Sequence, residues 1–327
     1  MTRLIDTLLL FSLPASGKSE MRRFMASLTA DEARSEFGMG PTLQLDDYPY
    51  VHLMHRIDDE LKAHGWKYVY YAGQNRPFQD SWTWAALIEL LNEDYANLRA
   101  GRQVEVASAA EHLFQRLDAV HAKLDMADVL GEVPYRIRRK VAEALEAECR
   151  AELDALNRQN AIDCAGHTIV IEAARGCANG SAFPVTPPHG YAAAFQQLSL
   201  DILERSSLLY IWVTPEESRR KNIERGLPNA QGSILHHSVP MEVMLGQYGG
   251  DDLSYLLEQS TRPGHLQVER LHQVGDKYEM KTFFIPAARF DNRKDLTTFV
   301  RQPQEQWAPA DVAAIRDELK RAFSVLK

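Results

Sequence analysis

Eight consecutive residues near the start of the chain have the types and spacing needed to hold phosphate groups. They are Ser12, Leu13, Pro14, Ala15, Ser16, Gly17, Lys18 and Ser19. In such a loop a glycine lets the backbone approach an anion, a lysine supplies charge for the β- and γ-phosphate oxygens, and a hydroxyl can bind Mg²⁺. Gly17, Lys18 and Ser19 fill these roles. The pattern departs from G-x-x-x-x-G-K-[S/T] at one position, because Ser12 stands where the first glycine is expected.

The residues on both sides of this loop predict the elements that position it. An apolar run from Thr7 to Phe11 predicts a buried strand before the loop. After the loop, Met21, Phe24, Met25 and Leu28 recur at helical spacing and predict one apolar helix face. The positive end of that helix would point at a bound anion. This order favours nucleotide binding over the alternative, a helix that begins at Gly-Lys-Ser and binds nothing.

Five short apolar runs predict strands that are buried on both faces. They are Thr7 to Phe11, Thr42 to Leu45, Thr168 to Ile171, Leu208 to Val213 and Thr282 to Ile285. Helical patterns separate most of them, which is typical of strand–helix–strand units. The predicted fold class is therefore α/β, with a five-stranded parallel sheet.

The gap of about 120 residues between the second and third predicted strands is several times longer than a single crossover helix needs. Residues Ser81 to Leu98 and Val133 to Leu156 have helical patterns within it. We expect residues 51–160 to form a mostly helical lobe inserted over the open end of the sheet. Residues 1–50 and 161–327 would then form the nucleotide-binding core.

Composition limits the kind of partner that this chain can have. Of 327 residues, 45% are hydrophobic and 25% are charged, which is typical of a globular protein. The net charge of −8 argues against a broad nucleic-acid surface. The cysteines at 149, 164 and 177 are too irregularly placed for a disulfide framework or a zinc site, and no apolar run is long enough to span a membrane. We expect a cytoplasmic protein without nucleic-acid or membrane partners, in an oligomeric state that the sequence leaves open.

The segment from Ser12 to Ser19 resembles the S/G-L-P-x-S-G-K-S loop of the P-loop kinases that phosphorylate small molecules, nucleosides and nucleotides. The resemblance is specific at this loop and extends more loosely over the five strands. It implies ATP and Mg²⁺ as cofactors and a small-molecule acceptor as partner. It also implies the strand order 2-3-1-4-5, in which the third strand lies beside the strand that carries the loop.

Carboxylates follow two of the predicted strands, at the edge where parallel sheets bind ligands. Asp46 and Asp47 end the second strand, and the resemblance assigns this place to the group that orients or deprotonates the acceptor hydroxyl. Asp46 is the first candidate; Asp47 is the second and would otherwise bind substrate. Glu172 closes the third strand and is a candidate Mg²⁺ ligand, with Arg175 in reach of an acceptor phosphate. The alternatives are a turn cap before Pro49 and a solvated Glu–Arg pair.

A basic helix is predicted after the fourth strand. Thr214 and Glu217 form a capping box, and Pro215 fits the first helical position. The helix would carry four basic side chains, Arg219, Arg220, Lys221 and Arg225. It resembles the lid of a P-loop kinase, here about residues 215–250, whose arginines neutralise charge on the transferred phosphoryl group. The alternative is a solvated basic face.

Three further features of the sequence concern possible ligand or metal contacts. Asn292 begins an Asn-Arg-Lys-Asp segment that resembles the guanine-reading N-K-x-D motif, but in the kinases this loop packs on adenine, so Asn292 is a nucleotide-binding candidate either way. Arg76 lies in a predicted loop and is a candidate acceptor anchor. The histidine pairs at 52 and 55 and at 236 and 237 lack cysteine or carboxylate at ligand spacing and predict no metal site.

The function that these features predict is an ATP-dependent phosphotransferase that moves the γ-phosphoryl group to a small hydroxyl or phosphate acceptor. The alternative is a regulatory or switch-type NTPase that hydrolyses ATP or GTP. The sequence names neither the acceptor nor the preferred nucleotide.

Overall fold

A computed structural model of the chain describes residues 4–226 and 238–326. Its strands are β1 (Thr7–Phe11), β2 (Thr42–Asp46), β3 (Thr168–Ala173), β4 (Ser206–Trp212), β5 (His265–Val274) and β6 (Lys277–Asp291). They form one mostly parallel sheet in the order β2-β3-β1-β4-β6-β5. Together with the helices, this sheet confirms the predicted α/β class.

The strand that precedes the loop from Ser12 to Ser19 lies inside the sheet. β1 pairs in parallel with β3 on one side and with β4 on the other, so that Leu9 is opposite both Ile171 and Leu208. All five residues of β1 are buried. Because all three strands run in the same direction, their carboxyl ends meet at one edge, and this edge carries the loop.

The predicted count of five strands is wrong, because a sixth strand lies beyond the end of the predicted order 2-3-1-4-5. The predicted fifth strand lies within β6, which pairs in parallel with β4. β5 precedes it and forms an antiparallel hairpin with β6 at the end of the sheet. β5 has buried Leu266 and Val268 between more exposed residues such as Glu269, so it has one buried face and no continuous apolar run. A search for apolar runs therefore missed it.

Twelve helices are assigned among the described residues. They are α1 (Lys18–Ala26), α2 (Ala30–Phe37), α3 (Tyr48–Ala63), α4 (Thr83–Arg99), α5 (Ala109–Lys123), α6 (Tyr135–Asn160), α7 (Gly190–Gln197), α8 (Leu200–Arg205), α9 (Pro215–Arg225), α10 (Met241–Gln247), α11 (Leu253–Gln259) and α12 (Pro309–Phe323). Two short 3₁₀ helices, Thr298–Arg301 and Gln304–Gln306, precede α12. Among the described residues, none of these helices combines the length and the apolar character that crossing a membrane requires.

The chain divides into two compact units. Unit 1 comprises residues 1–44, 166–196 and 200–327, and unit 2 comprises residues 45–165 and 197–199. The first change of unit comes six residues before the predicted boundary at 50/51, and the return comes five residues after the predicted boundary at 160/161.

Unit 1 is held together by apolar side chains on one face of its sheet. Leu8 and Leu10 from β1 lie in a buried cluster with Met21 and Phe24 from α1 and Phe323 from α12. Met25 and Leu28 pack against this cluster, so the predicted apolar face of α1 is confirmed. This packing fixes the helix that begins at the end of the loop.

Unit 2 contains α3 to α6, and its core includes a buried polar network. Arg116 donates from Nη1 to the Tyr50 hydroxyl at 2.9 Å and from Nη2 to Asp94 Oδ1 at 2.6 Å. Tyr50 also donates to Asp94. Because each buried polar group has a partner, the network avoids the cost of an unpaired charge in the helical core.

Candidate functional site

The segment between β1 and α1 folds as a tight loop that opens at a helix N-terminus. Gly17 precedes α1 with φ of 106°, and Ala15 has φ of 55°, so two alternate residues are left-handed. The first backbone bond of the helix joins the Met21 N–H to the Gly17 carbonyl at 2.8 Å. The N–H groups of the first turn have no acceptor within the helix, and left-handed residues at alternate positions turn backbone N–H groups toward one concavity. Such a concavity is suited to an anion.

Only glycine fits at position 17. A Cβ atom there would lie 2.5 Å from Thr297 Oγ1 and 2.7 Å from Asn292 Nδ2. The backbone angle of Gly17 is also one that L-residues avoid. The glycine predicted from the motif is therefore required twice, once by its own backbone and once by its neighbours.

Lys18 and the loop serines are placed to receive phosphate oxygens. The Lys18 ammonium donates to the carbonyl oxygens of Ser12 at 3.2 Å and Leu13 at 3.1 Å, which keeps its charge on the loop. The Ser16 hydroxyl is buried and has no hydrogen-bond partner in the described part of the chain. Ser19 is partly exposed at the first turn of α1. A buried hydroxyl without a partner is costly unless a ligand or water satisfies it.

Ser12 replaces the first glycine of the motif without disturbing the loop. Its side chain is fully buried, and its hydroxyl donates to the Ile211 carbonyl of β4 at 2.6 Å. Serine in place of glycine therefore adds a hydrogen bond between the start of the loop and the neighbouring strand β4.

Asn292 supports the loop from the end of β6. Its Nδ2 donates to the Ser16 carbonyl at 2.6 Å and to Thr297 Oγ1 at 2.9 Å, and its Oδ1 accepts from the Leu296 N–H at 2.7 Å. The side chain is fully buried. Asn292 lies at the site, as predicted from the sequence, but its amide is engaged by the protein, so contact with a nucleotide base stays a prediction.

Glu172 and Arg175 lie at the carboxyl end of β3, and both are buried. Glu172 forms an ion pair with Arg22 of α1, with Oε1 2.6 Å from Nε. The Arg175 guanidinium donates to the Ala174 carbonyl at 2.8 Å. In the described residues no group of three His, Cys, Asp or Glu side chains is arranged to hold a metal. A Mg²⁺ ion at this loop would draw on Ser19 and on phosphate oxygens, as is usual for Mg²⁺ with nucleotides, and a role for Glu172 stays a prediction.

Two of the three predicted lid arginines are engaged on the surface of α9. Arg219 lies 2.9 Å from Glu216, and Arg220 lies 2.6 Å from Glu217 and 3.5 Å from Asp295. The capping bond from the Glu217 N–H to the Thr214 hydroxyl is present at 3.2 Å. The pairs of Arg220 fit the alternative of a solvated charged face, whereas the Arg219 side chain is only 19% exposed and its Nη1 is buried without a hydrogen-bond partner among the described residues. Residues 227–237 of the predicted lid, with His236 and His237, lie outside the described residues.

Arg225 is different, because its mostly buried side chain, 11% exposed, points at the first turn of α1. With Arg301 it surrounds Glu20, the residue after Ser19, at distances of 3.6 Å and 2.7 Å. Burial alone would raise the pKa of Glu20, but Arg225 and Arg301 hold it below its ordinary value. The two guanidiniums outnumber the one carboxylate, so Glu20 does not make the first turn of α1 repel an anion.

Helix α9 is also fixed to the loop by buried contacts. Ser218 donates from its hydroxyl to the Pro14 carbonyl at 2.8 Å. Lys221, fully buried, places its ammonium 2.6 Å from Asp295 Oδ1. Burial of Asp295 acts to raise its pKa, but Lys221 and Thr298 lower it below the ordinary value. The helix itself therefore forms a wall of the site.

Asp251 is a site residue that the sequence analysis did not find. Its Oδ2 accepts from the Tyr210 hydroxyl at 3.1 Å and its Oδ1 from the Leu253 N–H at 3.0 Å. Burial, with a smaller contribution from Asp252, raises the pKa of Asp251 to about 7, although the hydrogen bonds from Leu253 and Tyr210 and the Lys18 ammonium oppose the shift. Asp251 follows a pair of glycines and ends no strand, so nothing in its sequence context marked it. A carboxyl group with a pKa near 7 can both take up and release a proton near neutral pH.

The remaining candidates lie in unit 2. Asp46 Oδ1 accepts from the Tyr48 N–H at 2.9 Å, so the turn-capping alternative is present, while buried Asp47 directly precedes α3. Arg76 is exposed in the loop before α4. His55 stacks on Tyr71, with ring centroids 3.5 Å apart, as part of an aromatic cluster. Roles for Asp46, Asp47 and Arg76 in acceptor binding stay predictions.

Comparison with known proteins adds no relative: no protein family, curated protein or solved structure matches this chain.

Proposed function

We propose that this chain is an ATP-dependent phosphotransferase that transfers the γ-phosphoryl group to a small hydroxyl or phosphate acceptor. The observation that carries the proposal is the loop at the end of β1. Gly17 and Ala15 are left-handed, Lys18 lies on the loop carbonyls, and the buried Ser16 hydroxyl has no partner among the described residues. These features fit a polyphosphate anion.

The residues around the loop suggest how it would act. The N–H groups at the start of α1 and the Lys18 ammonium would hold the phosphates, and the Ser19 hydroxyl would face Mg²⁺, which when bound neutralises phosphate charge. Arg225, which lies 3.6 Å from Glu20, adds positive charge at the first turn. Charge of this kind, fixed before the reaction, favours a transition state with charge on the transferred group.

A switch-type NTPase that hydrolyses ATP or GTP is the alternative. It draws on the Asn292 segment for guanine recognition, and both Nδ2 hydrogens of Asn292 are engaged with Ser16 and Thr297. That engagement weighs toward the phosphotransferase. The two functions differ in one measurable respect, because a switch consumes nucleotide without an acceptor.

The experiment is a nucleotide titration followed by a turnover screen. Calorimetry with ATP and GTP, with and without Mg²⁺, gives the preferred nucleotide. Nucleotide consumption is then measured against nucleosides, nucleotides, sugars and small alcohols. Lys18→Ala should abolish binding or turnover, while Lys277→Ala, an exposed lysine at the start of β6, should change neither. Unchanged ATP affinity and turnover in Lys18→Ala would refute the proposal.

A further inference from the structure

Three side chains from distant parts of the chain hold alternate carbonyls of the phosphate-binding loop. Tyr191 of α7 donates to the Ser12 carbonyl at 2.8 Å, Ser218 of α9 to that of Pro14 at 2.8 Å, and Asn292 to that of Ser16 at 2.6 Å. All three donors are buried. We propose that Tyr191, Ser218 and Asn292 are positioning residues that hold the loop in its anion-binding conformation before any ligand arrives.

The geometry of the peptide bond gives this arrangement its effect. In a trans peptide the C=O of one residue and the N–H of the next point in opposite directions. Donors that hold the carbonyls of residues 12, 14 and 16 therefore turn the N–H groups of Leu13, Ala15 and Gly17 away from those donors. The left-handed angles of Ala15 and Gly17 are part of the same alternation.

Holding the loop in this way reduces the cost of binding. A loop that had to reorganise would lose conformational entropy when the phosphate arrived, and that loss would be subtracted from the affinity. The three donors come from elements that the sheet and its helices already hold in place. The ordering cost is therefore met during folding, and the amides are available to the anion at once.

The proposal also assigns a role to each donor's element. α9, predicted as a moving lid, presents Ser218 to the loop and is fixed there by the Lys221–Asp295 ion pair. Asn292, predicted to contact the nucleotide, also acts on the loop through its bond to the Ser16 carbonyl. Tyr191 is the first residue of α7 after Gly190, and its hydroxyl is also 3.2 Å from the Ala173 carbonyl at the end of β3. The proposal rests on the function proposed above.

Ser218→Ala is the mildest test, because it removes one oxygen atom. A hydrogen bond of this kind contributes about 1 kcal/mol, so we expect affinity for pyrophosphate and for ATP to fall about three- to tenfold. Tyr191→Phe should have an effect of similar size. Ser27→Ala is the matched control, because Ser27 also donates its hydroxyl to a backbone carbonyl, that of Phe24 at 2.6 Å, but at the far end of α1.

The measurement is calorimetry with pyrophosphate and ATP on each purified variant, with a thermal melt alongside. Weaker binding in Ser218→Ala and Tyr191→Phe but not in Ser27→Ala, at a comparable melting temperature, supports the proposal. Affinity equal to the parent in both loop variants overturns it, even if their melting temperatures fall, because a purely structural role would lower stability alone. If the parent itself binds neither ligand, it is the proposed function that fails.

Discussion

Replacing Gly17 with alanine tests whether the loop needs glycine for two independent reasons. The first is backbone strain, since a left-handed φ costs an L-residue about 1–2 kcal/mol. The second is the collision of the new Cβ with Thr297 Oγ1 at 2.5 Å and Asn292 Nδ2 at 2.7 Å. Forcing an extra carbon into packed surroundings costs roughly 1–3 kcal/mol. The free energy of unfolding should therefore fall by about 2–5 kcal/mol.

Gly180→Ala separates these two costs. Gly180 has φ of 77°, and a Cβ atom built there meets nothing within 4 Å. This variant should lose only the backbone contribution, about 1–2 kcal/mol. Urea unfolding of both variants, followed by circular dichroism, gives the difference. The Gly17 variant should be less stable than the Gly180 variant by about 1–3 kcal/mol, the overpacking cost.

The same comparison has a functional arm. The Cβ at position 17 pushes on Asn292, which holds the Ser16 carbonyl, so nucleotide affinity should fall with stability in Gly17→Ala and should be unchanged in Gly180→Ala. Equal stability losses in the two variants, with nucleotide affinity retained in both, would refute the close packing of Thr297 and Asn292 on the loop.

Three further outcomes are expected. Lys18→Ala should leave the melting temperature within about 2 °C of the parent while removing nucleotide binding, because Lys18 is partly exposed and its bonds to the loop carbonyls are long, at 3.1 and 3.2 Å; a large fall in melting temperature would give Lys18 a structural role. Folding raises the pKa of Asp251 from 3.8 to about 7, mainly because the carboxyl group becomes buried. Between about pH 4 and pH 7 the folded state keeps a proton that the unfolded state has lost. The free energy of unfolding therefore falls as pH rises through this range, and the whole loss is present above pH 7. Asp251→Asn should therefore gain stability at pH 8 relative to pH 4 in urea titrations, by at most about 4 kcal/mol, and a gain independent of pH would contradict the shift. Asp46→Asn should lower transfer to an acceptor by about 10²–10⁴-fold with nucleotide affinity unchanged; full transfer activity would leave Asp46 as a turn cap alone.

Local patterns in the sequence were enough to locate most of the sheet. β1 was predicted at its observed bounds, and β2, β3 and β4 within two residues at each end. β1, β3 and β4 are buried on both faces, so each carries its own signal, whereas β2 was found although only one of its faces, with Leu43 and Leu45, is buried. β5 does not, because only Leu266 and Val268 are buried within it, and the hairpin turn at Gly275 was not recognised.

The site was predictable only where it is local in sequence. The loop from Ser12 to Ser19 is a continuous segment, and it lies between β1 and α1 where the sequence predicts it, with Gly17 left-handed at the start of the helix. Ser218, Tyr191 and Asp251 join the site through contacts with residues far away in the chain, and no spacing rule links them to the loop. Arg219 and Arg220 illustrate the converse, since their charges were evident but their partners on α9 were not.

The pairing of β1 also determines when the loop can form during synthesis. In the folded sheet Thr7 pairs with Ile169 on one side and with Ser206 on the other, so β1 cannot complete its pairing until both residues have been made. At ribosomal rates of about 5–20 residues per second, the second partner leaves the ribosome roughly 10–40 s after the first strand. By then nearly all of unit 2, whose helices depend on nearer contacts, has been made. The nascent chain therefore carries an unpaired Thr-Leu-Leu-Leu-Phe segment until β3 has been made, and chains cut short before β4 would present one open edge of it as a template for aggregation.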